Sequence, residues 1–315
     1  MRYNMRGFYR KTISLIEELI IKIHIFKTWL FEWYSILTKS KRYKHIVWTN
    51  DQKREFDHFW QTNYGRKIST RWHKYYQSCN GVYDIRYFPE ILLTTKLEPK
   101  LNSLQWCKVL SDKSLTELIY SGDGAIKVPK TIVLNCSGIY YDKNRSIISK
   151  EKAMQLIFDA GDIVIKPIRG ESSGRGVRVL TIEQGRDTET SDRIEAILDT
   201  YKENYIVQER LRPNPQYARL YEYSINTVRI ITYIVDGEVH HAPLYFRMGA
   251  NGNKVDNIHA GGIGIGVSDD GKLNSIGYND KKERFEKHPD TGVCFKGYVI
   301  PYTREIIATA YKAHG

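Results

Sequence analysis

The first forty residues carry apolar side chains at helical spacing. Apolar residues recur every three or four positions, which predicts an amphipathic helix that reaches about residue 37. They are Ile16, Ile20, Ile23, Phe26, Leu30, Trp33 and Leu37. Charged residues interrupt the stretch, whereas a membrane-spanning helix needs about 20 nearly uncharged residues. No small-residue cleavage site follows, so the pattern is not that of a signal peptide.

This helix has two interpretations. In the preferred one, its apolar face packs on the protein's own core. In the other, residues 2–37 lie on the inner face of the membrane, where Trp29 and Trp33 enter the interface. A basic cluster at the N-terminus supports the second interpretation. It consists of Arg2, Arg6, Arg10 and Lys11.

Helical and strand periodicities alternate beyond residue 108. Helical spacing predicts helices over "SKEKAMQLIFDA" and "SDRIEAILDTY". Apolar and β-branched runs predict strands, which read "DIVIK", "VRVL", "YIVQERL", "SINTVRIITYIV" and "EVHHAPLYFRM". Two Asp-Gly pairs, at residues 236–237 and 270–271, predict tight turns between strands.

A further helix is predicted over "SDKSLTELIYS", with Ser111 as its N-cap. In this helix Leu115, Leu118 and Ile119 would face inward. Lys113 would then occupy the first turn, where the positive end of the helix dipole disfavours a cation. A nearby anion would remove this objection, and a solvated lysine on an exposed turn is the alternative.

Composition limits the class of protein and of partner. The chain has 315 residues, enough for two domains or one domain with lobes, and 41% of them are hydrophobic. Its formal charge of +12 favours anionic partners, which include nucleotides, nucleic acid, acidic sugars and an anionic membrane surface. The four cysteines are far apart and form no CxxC pair, so neither a zinc knuckle nor a disulfide framework is predicted. A cytoplasmic location is expected.

The segment from about residue 39 to residue 106 contains no chemical motif. Its stretch "NYGRKISTRWHKYY" is basic with interleaved aromatic residues, a composition that can bind single-stranded nucleic acid by stacking. A packed lobe with polar edges is the preferred interpretation. No nucleic-acid partner is therefore expected.

The stretch "IVIKPIRGESSGRGVRVL" combines a strand, a lysine, a glycine-rich loop and a second strand. It lacks the ending of a P-loop, which excludes that motif, and it does not open an obvious helix within a βαβ unit, which argues against a dinucleotide-binding fingerprint. Backbone N–H groups in a glycine-rich turn can converge on an anion, and an adjacent lysine adds a charge for phosphate. A hairpin with a flexible tip is the alternative. The phosphate-binding candidates are Lys166, Gly170, Ser172, Ser173, Gly174 and Gly176.

Three later strands carry polar residues that invite a functional interpretation. The strand "YIVQERL" turns polar at Gln208 and Glu209, which suits a hinge that reads adenine and holds ribose hydroxyls. A surface strand end is the alternative. Arg229 and Arg247 each stand in an apolar strand, and burial of an arginine requires an anionic partner. That partner is a substrate phosphate or a neighbouring carboxylate.

Taken in order, these motifs resemble the ATP-grasp fold. They are "SDK", "VIKP", "GESSGRGV", "VQERL", "NTVR" and "YFRMG…VDNIHAGG". The resemblance covers roughly residues 109–315 and is strongest to the sugar-transfer associated branch, which is related to glutamate-ligase-like enzymes. It implies an α+β fold in which two lobes clasp ATP, preceded by a helical region at residues 1–50 and a basic, aromatic-rich region at residues 51–108.

The resemblance also implies an activity and a set of roles. The activity is ATP-dependent ligation of an unidentified carboxylate and amine through an acyl phosphate, in the biosynthesis of a cell-surface sugar polymer. Lys113 and Lys166 would contact the phosphates, and residues 170–176 would close over the γ-phosphate. Glu209 would hold the ribose. The transferring phosphoryl group or the acceptor would face Arg229, Arg247 and Asn257.

The chain departs from the family pattern at the metal site. The family holds Mg²⁺ with an aspartate and a Glu-x-Asn pair on late strands, and no such pair follows the second glycine run. We therefore assign no metal ligand, although Mg²⁺ is expected from the family. Two interpretations follow. Either the ligase lacks its final strands and cannot complete the usual reaction, or the chain is a degenerate, non-catalytic module that binds a nucleotide or polyanion at the membrane surface.

Overall fold

The computed structural model describes residues 2–102, 104–122, 124, 126–170 and 174–314; for residues 2–10, 104, 105 and 108 only the backbone is described. The chain divides into two compact units, Met1–Cys107 and Lys108–Gly315. We call them the helical unit and the sheet unit. Among the described residues, no helix combines the length and apolar character needed to cross a membrane.

The helical unit contains helices and no described strand. In chain order the helices are α1 (Arg2–Thr38), α2 (Ser40–Tyr43), α3 (Asn50–Tyr64), α4 (Arg71–Asn80), α5 (Glu90–Leu92), a π-helical segment (Leu93–Leu97), α6 (Glu98–Leu101) and α7 (Leu104–Leu110), which crosses the boundary. Local signals explain their ends. Thr49 and Gln52 form a capping box at the start of α3, and left-handed glycines follow α3 and α4.

Helix α1 confirms the predicted helix, but the interpretation that its apolar face packs on the core is wrong for most of its length. Ile16, Ile20 and Phe26 are 52–59% exposed. Only the C-terminal third packs on the unit, where Ile36 is buried and the ring of Trp33 meets that of Trp72 edge-on at 5.2 Å. Ile36 lies on a different side of the helix from most of these apolar residues, while Trp33, at the edge of the predicted apolar face, also reaches the unit.

Aromatic residues of the basic stretch and of α3 form the core of the helical unit. Trp72 and Tyr75 are buried in one cluster with Ile36, while Phe56 and Trp60 belong to a second cluster. These rings are unavailable for stacking on nucleic-acid bases. Their burial agrees with the preferred interpretation of this segment as a packed lobe.

The sheet unit is α+β, as predicted. Its strands are β1 (Thr131–Cys136), β2 (Ile139–Tyr141), β3 (Ile147–Ile148), β4 (Asp162–Pro167), β5 (Arg178–Glu183), β6 (Arg186–Asp187), β7 (Tyr205–Glu209), β8 (Thr227–Arg229), β9 (Thr232–Val235), β10 (Glu238–His241), β11 (Leu244–Met248), β12 (Ile263–Val267), β13 (Gly277–Tyr278) and β14 (Arg284–Phe285). Its helices are α8 (Thr116–Tyr120), α9 (Lys150–Ala160), α10 (Ile194–Tyr201), α11 (Pro215–Ala218) and α12 (Thr303–His314), with a 3₁₀ turn at Ile258–Ala260.

An antiparallel sheet of order β3-β2-β1-β7-β4-β5-β6 forms the first lobe. Alternation along β4 buries Ile163 and Ile165 on one face, against apolar residues of α9 and α10. Val164 and Lys166 therefore point to the other face. The predicted helices over "SKEKAMQLIFDA" and "SDRIEAILDTY" are confirmed, and Ser149 caps the first of them.

A second antiparallel sheet, of order β14-β13-β12-β11-β8, forms the second lobe around a core that includes Phe246 and Phe295. The separate hairpin β9–β10 turns at Asp236 and Gly237, and both have positive φ, as the predicted Asp-Gly turn requires.

The prediction for residues 111–121 is wrong in detail. The helix α8 begins at Thr116, so Lys113 lies in the preceding turn and not in the first helical turn. Leu118 and Ile119 are exposed and do not face inward. The objection to a cation at a helix N-terminus therefore does not apply to Lys113.

Candidate functional site

A cleft of about 500 Å³ lies in the sheet unit, beside the free face of β4. Its walls come from β4, β5, β8 and β11 and from loops that follow β7 and β11. The cleft brings together five of the residues singled out from the sequence. They are Lys166, Gly174, Arg229, Arg247 and Asn257. The cleft lining does not include Lys113, Gly170, Gly176, Gln208 and Glu209.

Lys166 supplies a partly buried cation to this cleft. Burial lowers the pKa of its ammonium group, and the nearby charge of Lys113 lowers it further. Among the described residues, no acidic side chain forms an ion pair with Lys166 or offsets these effects. The desolvated ammonium group of Lys166, beside a like charge, is a position that an anion would stabilise.

The turn that carries Lys113 is tied to the chain just after β4. The N–H of Lys113 donates to the carbonyl of Ile168 at 3.0 Å. Buried Asp112 accepts a hydrogen bond from Ser114 and pairs with Arg169 at 2.7 Å. Although burial opposes the effect, these bonds lower the pKa of Asp112. The turn is thus held beside the start of the glycine-rich loop.

The glycines of that loop have distinct placements. Gly170, Gly174 and Gly176 all have positive φ, which glycine adopts without strain. A Cβ at Gly174 would lie 3.5 Å from the Cβ of Asn257, so the loop end contacts the far wall of the cleft. A Cβ at Gly176 would lie only 2.9 Å from the ring of Pro167, which explains why glycine is needed there.

Two other predicted members of the loop, Ser172 and Ser173, lie outside the described residues. Their proposed contact with phosphate stays a prediction.

Gln208 and Glu209 attach β7 to the segment before β1. The side chain of Gln208 donates to the carbonyl of Pro129 at 3.0 Å. A carboxylate oxygen of Glu209 accepts from the N–H of Lys130, also at 3.0 Å, and the N–H of Glu209 donates to the Lys130 carbonyl. The Oε1 atom of Gln208 is buried without a hydrogen-bond partner in the described part of the chain. The roles of these two residues toward adenine and ribose stay predictions.

The two arginines predicted from β8 and β11 differ in environment. Arg229 is exposed, so the expectation that it is buried in an apolar strand is wrong. The strand β8 ends at this residue, which leaves its side chain open to solvent at the cleft. Arg247 is half-buried and has a carboxylate partner, because its Nη2 lies 3.4 Å from Oδ2 of Asp256.

Thr227 completes this cluster, and it was not identified from the sequence. It pairs with Arg247 across β8 and β11, so both side chains share one face. The hydroxyl of Thr227 accepts from Nη2 of Arg247 at 2.9 Å and donates to Asp256. The contacts with Thr227 and Asp256 fix the position of the Arg247 side chain at the cleft.

Two further arginines line the cleft after β7. Arg210 and Arg212 both reach Asp162 at the start of β4, with Arg210 at 3.4 Å. Thr181 also donates to Asp162, at 2.7 Å. Its hydrogen bond lowers the pKa of Asp162 against the effect of burial, and the two arginine charges lower it further. Neither arginine was singled out from the sequence, although the alternation in "RLR" continues the period of the strand.

Lys254 adds a cation from the loop after β11. It pairs with Glu189, in the loop between β6 and α10, at 2.5 Å. The pair therefore connects the two sheets that supply the cleft walls.

Cationic side chains outnumber carboxylates in the lining of the cleft. Two carboxylates line it, Glu222 and Asp256, against six cationic side chains. These six are Lys166, Arg210, Arg212, Arg229, Arg247 and Lys254. Such a cleft attracts anions, and its arginines can bind phosphate or carboxylate in a bidentate manner.

The same residues do not fit Mg²⁺. The described part of the chain contains no group of three or more His, Cys, Asp or Glu side chains that could hold a metal ion. Of the two carboxylates in the cleft, Asp256 is already engaged by Thr227 and Arg247. Mg²⁺ requires oxygen ligands in near-octahedral geometry, and this donor set does not supply them.

The ion pair of Arg247 leads to a first prediction. Replacement of Asp256 by Asn should raise the affinity of the cleft for inorganic pyrophosphate by about tenfold, because the arginine charge is no longer neutralised. Isothermal titration of both proteins measures the change. Asp159→Asn is the matched control, since it removes an exposed carboxylate that does not line the cleft. Unchanged or weaker pyrophosphate binding in Asp256→Asn would show that Arg247 does not contact the anion.

Comparison with known proteins adds one finding. A family model described as sugar-transfer associated ATP-grasp matches residues 92–315, a range that includes every residue that lines the cleft. No curated protein matches the chain with significant similarity.

Proposed function

Since the chain belongs to the sugar-transfer associated ATP-grasp family, we propose that it binds ATP in the cleft and acts as a carboxylate–amine ligase. The substrates proposed are a carboxylate and an amine, at least one of them linked to a sugar, and the setting is the synthesis of a cell-surface sugar polymer. This substrate class rests on the family description and on the positive charge of the cleft.

The observation that carries the proposal is the position of Lys166. Its ammonium group is desolvated, lies near a second lysine and has no acidic partner among the described residues. An unpaired, partly buried cation is unfavourable unless an anion joins it. A phosphate group beside Lys166 removes both penalties, and the family resemblance implies that Lys166 and Lys113 contact phosphate.

Residue roles follow from this placement. When bound, ATP would supply the phosphoryl group that activates a carboxylate as an acyl phosphate. Lys166 and the loop that ends at Gly174 hold the phosphates beside β4. Arg247, fixed by Thr227, and the exposed Arg229 orient the anionic acceptor and offset its negative charge. These contributions are positioning and charge stabilisation.

A second candidate function is supported by the metal finding. A module that binds a nucleotide or polyanion without turnover requires the cationic cleft and no metal ligands. Phosphate release from ATP separates the two functions. Release that depends on an added carboxylate and amine supports the ligase. Nucleotide binding without release, in the presence of Mg²⁺ and sugar-acid candidates, supports the module.

Nucleotide binding itself has a direct test. Lys166→Ala should weaken binding of a non-hydrolysable ATP analogue by about tenfold to a hundredfold, since a hydrogen bond to a charged group contributes about 1.5–3 kcal/mol. Titration calorimetry of the full chain measures it. Lys143→Ala, at an exposed lysine of the same lobe, is the matched control and should bind as the wild type does. Equal affinity in Lys166→Ala and wild type would overturn the placement of phosphate.

The compartment proposed is a reducing one. None of the four cysteines, Cys79, Cys107, Cys136 and Cys294, forms a disulfide bond in the structure. Free cysteines are the usual state of a cytoplasmic protein, and the expected supply of ATP agrees with that location.

A further inference from the structure

Helix α1 presents an apolar stripe to solvent. The stripe residues lie on one side of the helix and are between 46% and 69% exposed. They are Leu15, Ile16, Leu19, Ile20, Ile23, Phe26, Leu30, Tyr34 and Leu37. At about 100° of rotation per residue they cover an arc of about 140°. An exposed apolar surface of this extent marks an interaction site.

The stripe is separate from the contact that α1 makes with its own unit. Glu32 and Ile36, which are 6% and 2% exposed, lie on the opposite side of the helix. The unit therefore holds α1 in place without using the stripe. The exposed apolar side chains do not serve the fold of the described residues, and they need another partner.

We propose that the stripe docks on the surface of an anionic lipid bilayer, with α1 lying in the plane of the interface. Basic residues occur where such a helix requires them. Lys27 is exposed within the arc of the stripe, close to one edge, where its aliphatic stem can lie on the acyl chains and its ammonium group can reach the head groups. Trp29 lies at the stripe's edge and is 41% exposed, a placement typical of an interfacial tryptophan.

The charge of the N-terminus also favours a bilayer. The first sixteen residues contain basic side chains and no acidic ones. The basic residues are Arg2, Arg6, Arg10 and Lys11. A polybasic segment beside an apolar stripe supplies the second attraction that stable binding to anionic lipid needs.

A second copy of the chain is a less suitable partner. A coiled coil would use a seam with apolar residues at alternating intervals of three and four, and the stripe matches it up to Leu30. The next seam position is Trp33, whose ring already packs on Trp72 at 5.2 Å. The seam is thus broken within the packed third of the helix. The stripe is also wider than a two-position seam.

Flotation of the full-length protein with vesicles tests the proposal. We expect the wild type to float with vesicles of phosphatidylcholine and phosphatidylglycerol, and to float less with phosphatidylcholine alone. The double variant Leu19→Glu, Phe26→Glu should lose at least about tenfold in vesicle affinity, since two large apolar side chains no longer enter the bilayer. Both positions are exposed, so this variant should fold, and circular dichroism checks it.

A matched control separates lost apolar contact from added negative charge. Ser14→Glu, His24→Glu adds the same number of acidic groups at exposed positions of α1 that lie outside the stripe. It should retain most of the wild-type flotation. Equal flotation of wild type and Leu19→Glu, Phe26→Glu would overturn the proposal. So would a wild type that does not float but forms a concentration-dependent dimer in sedimentation, with the dimer lost in the same variant.

Discussion

Acidification from pH 6.5 to pH 4 should lower the unfolding free energy of the helical unit by about 3 kcal/mol through one residue, His73. The side chain is 1% exposed and lies among aromatic rings, with the ring of Phe56 at 4.7 Å. Burial lowers its pKa from 6.5 to about 4, against the opposing effect of its hydrogen bond to Ile85. Because a carbonyl can only accept, Nε2 of the neutral ring must donate to the Ile85 oxygen, at 3.2 Å.

The sign of this change in unfolding free energy follows from proton binding to His73. Between pH 6.5 and pH 4 the unfolded chain protonates this histidine and the folded unit does not. Lower pH therefore favours the unfolded state, and the stability lost is recovered above pH 6.5. Urea unfolding across this range measures the effect. Tryptophan fluorescence reports on the helical unit alone, since all six tryptophans precede residue 108.

His73→Phe is the informative variant. It removes the titrating group, while the carbonyl of Ile85 keeps its hydrogen bond from Nε1 of Trp60 at 3.1 Å. The variant should lose the corresponding part of the pH dependence. An identical dependence in both proteins would show that His73 does not control acid sensitivity.

Gly262→Ala should destabilise the sheet unit by about 3 kcal/mol and weaken nucleotide binding at least about tenfold. A Cβ at this position would lie 2.8 Å from the carbonyl oxygens of Met248 and Asp256 and 3.0 Å from that of Asn257. These are backbone atoms and cannot turn aside as a flexible side chain can. The segment that carries Asp256 and Asn257 must therefore move, and with it the wall of the cleft.

Gly252→Ala separates this displacement from the general effect of losing a glycine. Gly252 has φ of +76°, but a Cβ there meets no atom within 4 Å. Its replacement should cost only the backbone strain, about 1 kcal/mol, and leave nucleotide affinity unchanged. Calorimetric unfolding and nucleotide titration of both variants decide the matter. Similar nucleotide affinity in Gly262→Ala and wild type would show that residues 256–257 do not shape the site.

Features of the sheet unit that depend on local sequence patterns could be predicted from the sequence. The period of two along β4 places Lys166 opposite Ile163 and Ile165, so the side of the sheet that it faces is readable from the chain. The glycines at 170, 174 and 176 are likewise readable, because their positive φ is a backbone requirement.

Contacts between residues that are distant along the chain could not be predicted from the sequence. Whether Arg247 is neutralised depends on Asp256 and Thr227, which reach it only after β8 and β11 pair. The exposure of Arg229 depends on where β8 ends, and strand ends are set by tertiary packing. The side of α1 that packs was unreadable for the same reason, since Ile36 and the stripe are equally apolar in sequence.

The ion pair of Lys254 with Glu189 has a kinetic consequence for the cleft. Because the Glu189 side of the pair is open to solvent, the pair contributes about 0–1 kcal/mol, so its joined state exceeds its separated state by no more than about fivefold. This pair by itself therefore links the two loops only weakly. Glu189 is 61% exposed, so dissolved salt screens the pair and shifts it toward separation. Rising ionic strength should thus shorten the residence time of a bound anion in two ways, through weaker attraction in the cleft and through a weaker link between the loops at its edge.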